Sequence, residues 1–487
     1  MARPLLRRAG GGRAHRHLLD RVAKSAHESV KMSKRRTADS LTDTQGYGRW
    51  LTPAGICISG LLVPIAGGRW GSYLSIPGTP LYIADLLALG GAAFFVLQRV
   101  TSPQNSRTAQ RAPLPLRLGA ALLVGVILIA LLTTPWVGGI LVIRDLFPLL
   151  YLALTPLFVL AAGALGGAQI FRGLVVACTI HTLWFAPAIF RLLPPIPIGA
   201  VSELPLFTTR SDIDLLISAL SIAVLVMARE MPVLVRSTFI LASIASLFGG
   251  GSRAGLASGL VLLLIALLLA RPRGSRLSPT VVGVALLGTA GALPLAATVL
   301  MDPPEWMRAL TRILGDNTAE QSTARNTWDA RIYAWTRIVE YTAADQGRFL
   351  FGSGAGSHPI RDSGALIYLS GDPSVRAAHN FVITWFAMFG LIGVLSVVLV
   401  LVVWALVATG QARQQRGLNA VGLALFVSLL VAGLAGVIVE SPFGYMPLIL
   451  GMCCALLPTH SSVHTPFTTG VRGTAFIGSG GRDGNLP

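Results

Sequence analysis

Arg253, Arg331 and His379 are the residues whose types and positions best suit chemistry in this sequence. A guanidinium is always charged and binds phosphate groups bidentately. A histidine, with an ordinary pKa of about 6.5, can take a proton from a hydroxyl as a general base. Each of the three residues also has a possible structural role. An arginine at a span end is commonly a headgroup anchor, one on a loop helix is commonly solvated or ion-paired, and a histidine beside a span is commonly an interfacial cap.

A glycine-rich run at Gly352–Ser357 lies between Arg331 and His379 in the chain. Its backbone amides can form a phosphate-cradling nest, or the small residues can simply make a turn. Both readings are open, and no Gly-Lys-Ser/Thr follows that would make a Walker loop. The histidine spacing contains no zinc motif. The four cysteines lie in apolar stretches, which predicts neither a disulfide framework nor a metal site.

The composition determines the class of protein that must position these residues. Hydrophobic residues make up 53% of the 487 residues and charged residues 12%, with 39 Lys+Arg against 21 Asp+Glu. A soluble enzyme could not bury so much apolar surface, and a disordered chain would be far more polar. The formal charge of +18 does not indicate nucleic acid, because basic residues beside apolar spans are typical of membrane topology. We therefore predict an all-α polytopic membrane protein that binds membrane lipid and no nucleic acid.

Apolar runs predict about twelve transmembrane helices, at about 20 residues per span. They lie near 51–67, 80–98, 118–134, 146–165, 173–190, 213–228, 233–249, 254–270, 280–300, 380–408, 419–440 and 444–460. With the N-terminus inside, the inner connections hold 12 arginines and the short outer ones 5, as the positive-inside rule requires. Both termini are therefore expected in the cytoplasm.

Five segments follow from this topology. Residues 1–50, with 12 basic and 4 acidic residues, form a basic disordered cytoplasmic tail. Helices 1–9 occupy 51–300 and helices 10–12 occupy 380–460, and a cytoplasmic C-terminal tail covers 461–487. Residues 301–379 form a large outer loop with eight Arg and nine Asp/Glu, and a loop of this length is commonly functional.

Three motifs in this order resemble the O-antigen ligase / Wzy polymerase family of bacterial envelope glycan assembly. They are Gly251-Ser252-Arg253-Ala254-Gly255, then Arg331-Ile332-Tyr333-Ala334-Trp335 followed by Phe351-Gly352-Ser353-Gly354-Ala355-Gly356, then His379-Asn380 leading to Phe389-Gly390-Leu391-Ile392-Gly393. The strong likeness covers roughly 325–400. Ala254 departs from the pattern, because the family usually has glycine after the arginine.

The resemblance implies a membrane-embedded glycosyltransferase of the C type in the cytoplasmic (inner) membrane, with its active site on the outer face. Such proteins transfer a glycan from a polyprenyl-diphosphate carrier to an acceptor hydroxyl without a metal or other cofactor. On this reading Arg253 and Arg331 bind the diphosphate and His379 is the general base. Further substrate contacts are expected from several residues. They are Trp335, Gly354, Gly356, Asn380, Arg144 and Arg210.

Alternatives remain within and beyond the family. Ligase and polymerase differ in acceptor, and the sequence favours the ligase reading only narrowly. A lipid-linked oligosaccharide flippase or transporter would show two similar halves, and no convincing internal repeat is present. Among other polar residues, His358 is a rival base, and Asp85, His181 and Glu440 lie in or beside spans, where ionisable groups are costly. The first outer loop, residues 68–80, contains no Asp or Glu for a metal.

Overall fold

A computed structural model describes eight stretches of the chain. They are residues 48–75, 81–101, 112–134, 139–198, 204–250, 252–269, 319–369 and 375–457. Within them the protein is helical, and the β-structure consists of two isolated bridges, Ser75 with Tyr82 and Ile196 with Leu206. The all-α prediction is confirmed for this part of the chain. The predicted tails and the predicted span at 280–300 lie outside the described residues.

Sixteen helices follow one another in the described stretches. They are α1 (Pro53–Ser72), α2 (Ile83–Thr101, with a π-helical turn at Leu86–Gly90), α3 (Leu114–Thr133), α4 (Ile140–Ala153), α5 (Thr155–Leu165), α6 (Gly167–Ile189), α7 (Ser211–Met227), α8 (Val233–Gly249), α9 (Arg253–Leu269), α10 (Ala319–Ala343), α11 (Gln346–Phe351), α12 (Pro359–Asp362), α13 (Leu366–Leu369), α14 (Phe381–Gln415), α15 (Leu418–Gly433) and α16 (Pro442–Ala455).

Five of these helices are long and apolar enough to cross a membrane, namely α1, α2, α3, α6 and α14. The pair α4 and α5, bent by 53°, makes six if it counts as one span. The bend falls just before Pro156 in the first turn of α5, and a residue before proline is disfavoured in helical geometry. Helices α8, α9, α15 and α16 are apolar but shorter. The twelve-span count therefore stays a prediction.

The exterior and interior of the bundle are both apolar. Leu118, Leu128, Leu395, Leu399 and Leu406 on α3 and α14 are exposed. Such surfaces on two long helices suit hydrocarbon as their solvent. Helix α16 is buried throughout, and α7 is buried over most of its length. An all-apolar helix in the middle of a bundle is expected when lipid, not water, surrounds the outer helices. The four cysteines are free and buried, as predicted.

Several helix ends meet at one end of the bundle, here called the site end. A Cβ at Gly255, in the first turn of α9, would stand 2.5 Å from the Ser211 carbonyl at the start of α7. One at Gly433, where α15 ends, would stand 3.0 Å from Phe381, where α14 begins. Helix α10 joins the same end through Arg331, whose Nη1 donates to the Ala435 carbonyl at 3.0 Å. The connections predicted to share the outer side thus contribute to one region.

Candidate functional site at the ends of α7, α9 and α14

His379 occupies an unusual backbone conformation immediately before α14. Its φ is +59°, in the left-handed region that non-glycine residues seldom adopt. The backbone is held on both sides. The Trp335 indole Nε1 donates to the Ala378 carbonyl at 2.6 Å, and the Asn380 side chain caps α14 by accepting from Val382 N at 3.0 Å. Strain of this kind persists only where the surroundings determine it, and it clusters at functional sites.

Trp335 and Asn380 therefore have visible structural tasks. Trp335 ties α10 to the residue before His379, and Asn380 Oδ1 accepts from the amides of Val382 and Ile383 at 3.0 and 3.3 Å as the N-cap of α14. Their predicted contacts with substrate stay predictions. Both residues hold the backbone next to His379, Trp335 before it and Asn380 after it.

Arg331 reaches the site end from α10. It lies one helical turn before Trp335, so the two side chains share a face of the helix. Burial lowers the pKa of Arg331, and the negative charge of Asp212 opposes this shift. Among the described residues, the guanidinium makes one hydrogen bond, from Nη1 to the Ala435 carbonyl. Its other N–H groups remain available to an anion.

Arg210 stands at the start of α7 and is held by two carboxylates. Its Nε donates to both oxygens of Asp212, at 2.9 and 3.1 Å, and its backbone N–H donates to Asp214 Oδ2 at 2.6 Å. The guanidinium carbon lies 5.0 Å from the centroid of the Phe443 ring, a cation–π distance. Nη1 and Nη2 donate to no acceptor within the described part of the chain.

The two arginines act on His379 electrostatically. Burial, followed by the positive charges of Arg331 and Arg210, lowers the pKa of His379 to about 4. The imidazole has no hydrogen-bond partner among the described residues and is neutral at pH 7. We call Arg210, Arg331 and His379 the arginine–histidine cluster. It combines an unprotonated imidazole with guanidinium groups that retain unused donors.

Arg253 belongs to the same neighbourhood through its backbone. It is the first residue of α9, and the first turn of that helix packs against Ser211 and Asp212 through Gly255. The Arg253 side chain lies outside the described part of the structure. Its predicted contact with the diphosphate therefore stays a prediction.

The glycine turn, Gly352–Ser357, is separate from the cluster, and all of its backbone amides are hydrogen-bonded. Its six amides donate, in chain order, to the Arg348, Ala387 and Met388 carbonyls, Thr134 Oγ1, Asp145 Oδ2 and the Gly354 carbonyl, over 2.7–3.4 Å. The amides that a phosphate would need, those of Gly354 and Gly356 included, already donate to acceptors within the protein. The structure thus favours the plain turn over the phosphate nest.

Asp145 and Arg376 hold the glycine turn on α4. Arg376 Nη2 donates to Asp145 Oδ2 at 2.6 Å and to the Ser357 carbonyl at 2.7 Å. Asp145 therefore forms an ion pair with Arg376. The Arg144 side chain is exposed on α4, and its predicted substrate contact is untested.

Three further titratable side chains have distinct environments. His358 caps the short helix α12, its Nδ1 accepting from Arg361 N at 3.3 Å, which argues against the rival-base reading. His181 is fully buried, with Nε2 3.5 Å from Asp214 Oδ1. Glu440, in the turn between α15 and α16, has both carboxylate oxygens buried without a hydrogen-bond partner in the described residues. Burial raises its pKa to about 7, against the opposing charge of Arg210.

Sequence reasoning overlooked Asp212 and Asp214. Two acidic residues in the first turn of a predicted span carry a signal, because ionisable groups beside hydrocarbon are costly and usually have a partner. Asp212 in particular interacts with both arginines. It accepts hydrogen bonds from Arg210, and its negative charge acts on Arg331. In the described ranges no three His, Cys, Asp or Glu side chains group closely enough to hold a metal ion.

Together, the all-helical bundle, its apolar exterior and a polar cluster at one end define a membrane protein with a candidate active site. Residues 238–398, about a third of the chain, match the family model described as O-antigen ligase. The resemblance seen in the three motifs is thereby confirmed. The match supports a ligase- or polymerase-like role in surface polysaccharide biosynthesis and does not distinguish the two. No curated protein matches the chain.

Proposed function

We propose that this protein transfers a polyprenyl-diphosphate-linked glycan to an acceptor hydroxyl at the outer face of the cytoplasmic membrane. The observation that carries the proposal is the arginine–histidine cluster, in which an unprotonated imidazole faces two guanidinium groups with unused donors. The family of residues 238–398 supports a glycan as the transferred group. The apolar exterior of the bundle suits a lipid-linked donor.

The reaction assigns one task to each part of the cluster. His379 accepts the proton of the acceptor hydroxyl as its oxygen attacks the anomeric carbon. The bond between that carbon and the diphosphate oxygen breaks, and the diphosphate leaves with the bonding electrons. Arg331 and Arg210, joined by Arg253, stabilise the charge that develops on the leaving oxygens. Direct displacement inverts the anomeric configuration.

The proposal includes three finer expectations. Neutralisation of the diphosphate by arginine makes the transfer independent of a divalent cation. Twelve spans with both termini in the cytoplasm place the cluster on the outer face. The acceptor is a separate envelope molecule, as in a ligase. The second candidate is a polymerase whose acceptor is the growing glycan. A deletion strain distinguishes them, because single repeat units on the surface indicate polymerase and long carrier-linked chains indicate ligase.

The decisive experiment is transfer in vitro with purified protein, a polyprenyl-diphosphate-linked glycan and an acceptor extract, with and without a chelator. We expect product in both conditions. His379→Ala should lower the rate by about 10²–10⁴-fold, at unchanged abundance and membrane insertion. His358→Ala is the matched control and should retain the wild-type rate.

Two outcomes would contradict the proposal. Full activity of His379→Ala would show that His379 is not the general base. Movement of the intact lipid-linked donor across a vesicle membrane, with no transfer to any acceptor, would favour the flippase alternative instead.

A further inference from the structure

We propose that Asp212 is a positioning residue that holds Arg210 and Arg331 together, facing His379, for the diphosphate of the donor. The inference rests on the proposed function and adds a residue that the motifs do not include. Asp212 touches neither the reacting sugar nor the base. It acts through the two arginines.

The hydrogen bonds of Asp212 fix the orientation of one arginine. Both of its oxygens accept from Arg210 Nε, at 2.9 and 3.1 Å, and Oδ1 also accepts from Ile213 N at 2.9 Å. The carboxylate is thus anchored to the first turn of α7 while it directs the guanidinium. Since Nε is occupied, Nη1 and Nη2 are the nitrogens of Arg210 that are left to donate. Those are the atoms that a phosphate group would meet.

The turn after α15 brings the second arginine into the neighbourhood of the same carboxylate. A Cβ at Gly436, in the turn after α15, would stand 3.3 Å from Asp212 Oδ2, and Arg331 bonds to Ala435 in that same turn. A Cβ at Gly255 would stand 2.9 Å from the Asp212 Cα. Two glycines therefore leave room for α9 and the α15–α16 turn to close around one acidic side chain.

The charges explain why a carboxylate is useful at this point. Two guanidinium groups near one imidazole repel each other, and a half-buried cation without a counter-charge is costly. Asp212 offsets that cost in the absence of substrate. It also competes with the diphosphate for the same cations. A variant that keeps the hydrogen bonds but removes the charge should therefore bind anions more tightly and use them less well.

Asp212→Asn is that variant, because the amide oxygen can still accept from Arg210 Nε and Ile213 N. We expect inhibition by inorganic pyrophosphate, measured in the transfer assay, to tighten about threefold to tenfold, with a similar fall in the donor KM. The kcat should fall about tenfold, because the arginines are held less firmly. Asp212→Ala should lower kcat further and raise the donor KM, since orientation is lost as well.

Asp212→Glu and Asp362→Asn complete the set. The glutamate keeps the charge and displaces it by one methylene, so pyrophosphate should inhibit as in wild type while kcat falls. Asp362, whose Oδ1 accepts from exposed Arg361 Nε at 3.2 Å, offers a matched carboxylate–arginine pair outside the cluster. Asp362→Asn should leave kcat, KM and pyrophosphate inhibition unchanged.

The inference and the proposed function fail in different ways. If Arg331→Ala removes pyrophosphate inhibition but all Asp212 variants match wild type, Asp212 does not position the arginines and the proposed function stands. The inference is also overturned if the Asp212 variants lose activity only in proportion to the loss of folded protein. If wild-type protein shows neither transfer nor pyrophosphate inhibition, the proposed function itself is wrong.

Discussion

The glycine turn lies in the same predicted loop as Arg331 and His379 of the arginine–histidine cluster, yet the polar groups of the two regions have opposite surroundings. Each amide of Gly352–Ser357 has a protein acceptor. In the cluster, the imidazole of His379 has no partner among the described residues, and both arginines keep unused N–H groups. The backbone amides of the glycine turn are thus occupied by structural partners, whereas the partly buried donors of the cluster are open to a ligand.

This difference separates two roles that the motifs alone do not distinguish. In the sequence alone, the glycines, the arginines and the histidine of these motifs all suit phosphate chemistry. The contacts assign the glycine turn to joining α4 and α14, and they leave donors of the cluster open for the substrate that we propose. Variants of the two regions should therefore fail differently, one by losing folded protein and the other by losing turnover.

Arg331→Ala should produce the largest effect on turnover. Removal of a guanidinium from the leaving-group site should lower kcat/KM by about 10²–10³-fold while the melting temperature in detergent changes little. Arg331→Lys should recover only a small part, because an ammonium cannot donate in parallel from a planar fork. Transfer rates normalised to folded protein test this. A wild-type rate for the lysine variant would exclude a bidentate role.

Gly352→Ala and Gly390→Ala should instead act on stability. Gly352 (φ +80°) and Gly390 (φ +67°) lie back to back, and a Cβ on either would overlap the backbone of the opposite segment, at Met388 or Leu350. We expect each change to cost about 2–4 kcal/mol of folding free energy. Thermal unfolding in detergent is the measurement.

Gly364→Ala is the control for those two variants. Its φ is +73°, but a Cβ there meets nothing within 4 Å, so only backbone strain of about 1 kcal/mol applies. If Gly364→Ala were as destabilising as Gly352→Ala, the close approach of the two segments would not be the cause.

The pH dependence of transfer probes the cluster more finely. Because the pKa of His379 is lowered to about 4, kcat/KM should stay constant down to about pH 5 and then fall as the imidazole gains a proton. Arg210→Gln removes a positive charge, which stabilises the imidazolium, so the acidic limb should move upward toward 6.5. The negative charge of a bound diphosphate should also raise the pKa of His379. The acidic fall of kcat, which reports the enzyme with donor bound, should therefore occur at a higher pH than that of kcat/KM. If the pH at which kcat/KM falls is the same in Arg210→Gln as in wild type, the charge of Arg210 does not act on His379.

Sequence alone predicted the helical class because apolar runs are a local signal, and it named Arg210, Arg331 and His379 as candidate site residues. It could not supply the pairing of Asp145 with Arg376 across 231 positions, nor the convergence of Asp212 with Arg331, because such contacts depend on how distant helix ends meet. The bend before Pro156 has a local signal, but its size depends on packing. The left-handed φ of His379 likewise has no sequence signature beyond the tolerance of histidine for that region.

Asp145→Asn should produce the smallest effect and so sharpens the distinction between the two regions. The amide oxygen can still accept from Gly356 N, but the charge that attracts Arg376 is lost, which should cost about 1–2 kcal/mol of stability. The folded fraction should retain wild-type kcat and donor KM, because Asp145 supports the turn and not the cluster. Arg376→Gln should behave alike, and the double variant should cost little more than either single change. A selective fall in kcat at constant stability would instead show that the glycine turn transmits its position to His379, three residues beyond Arg376.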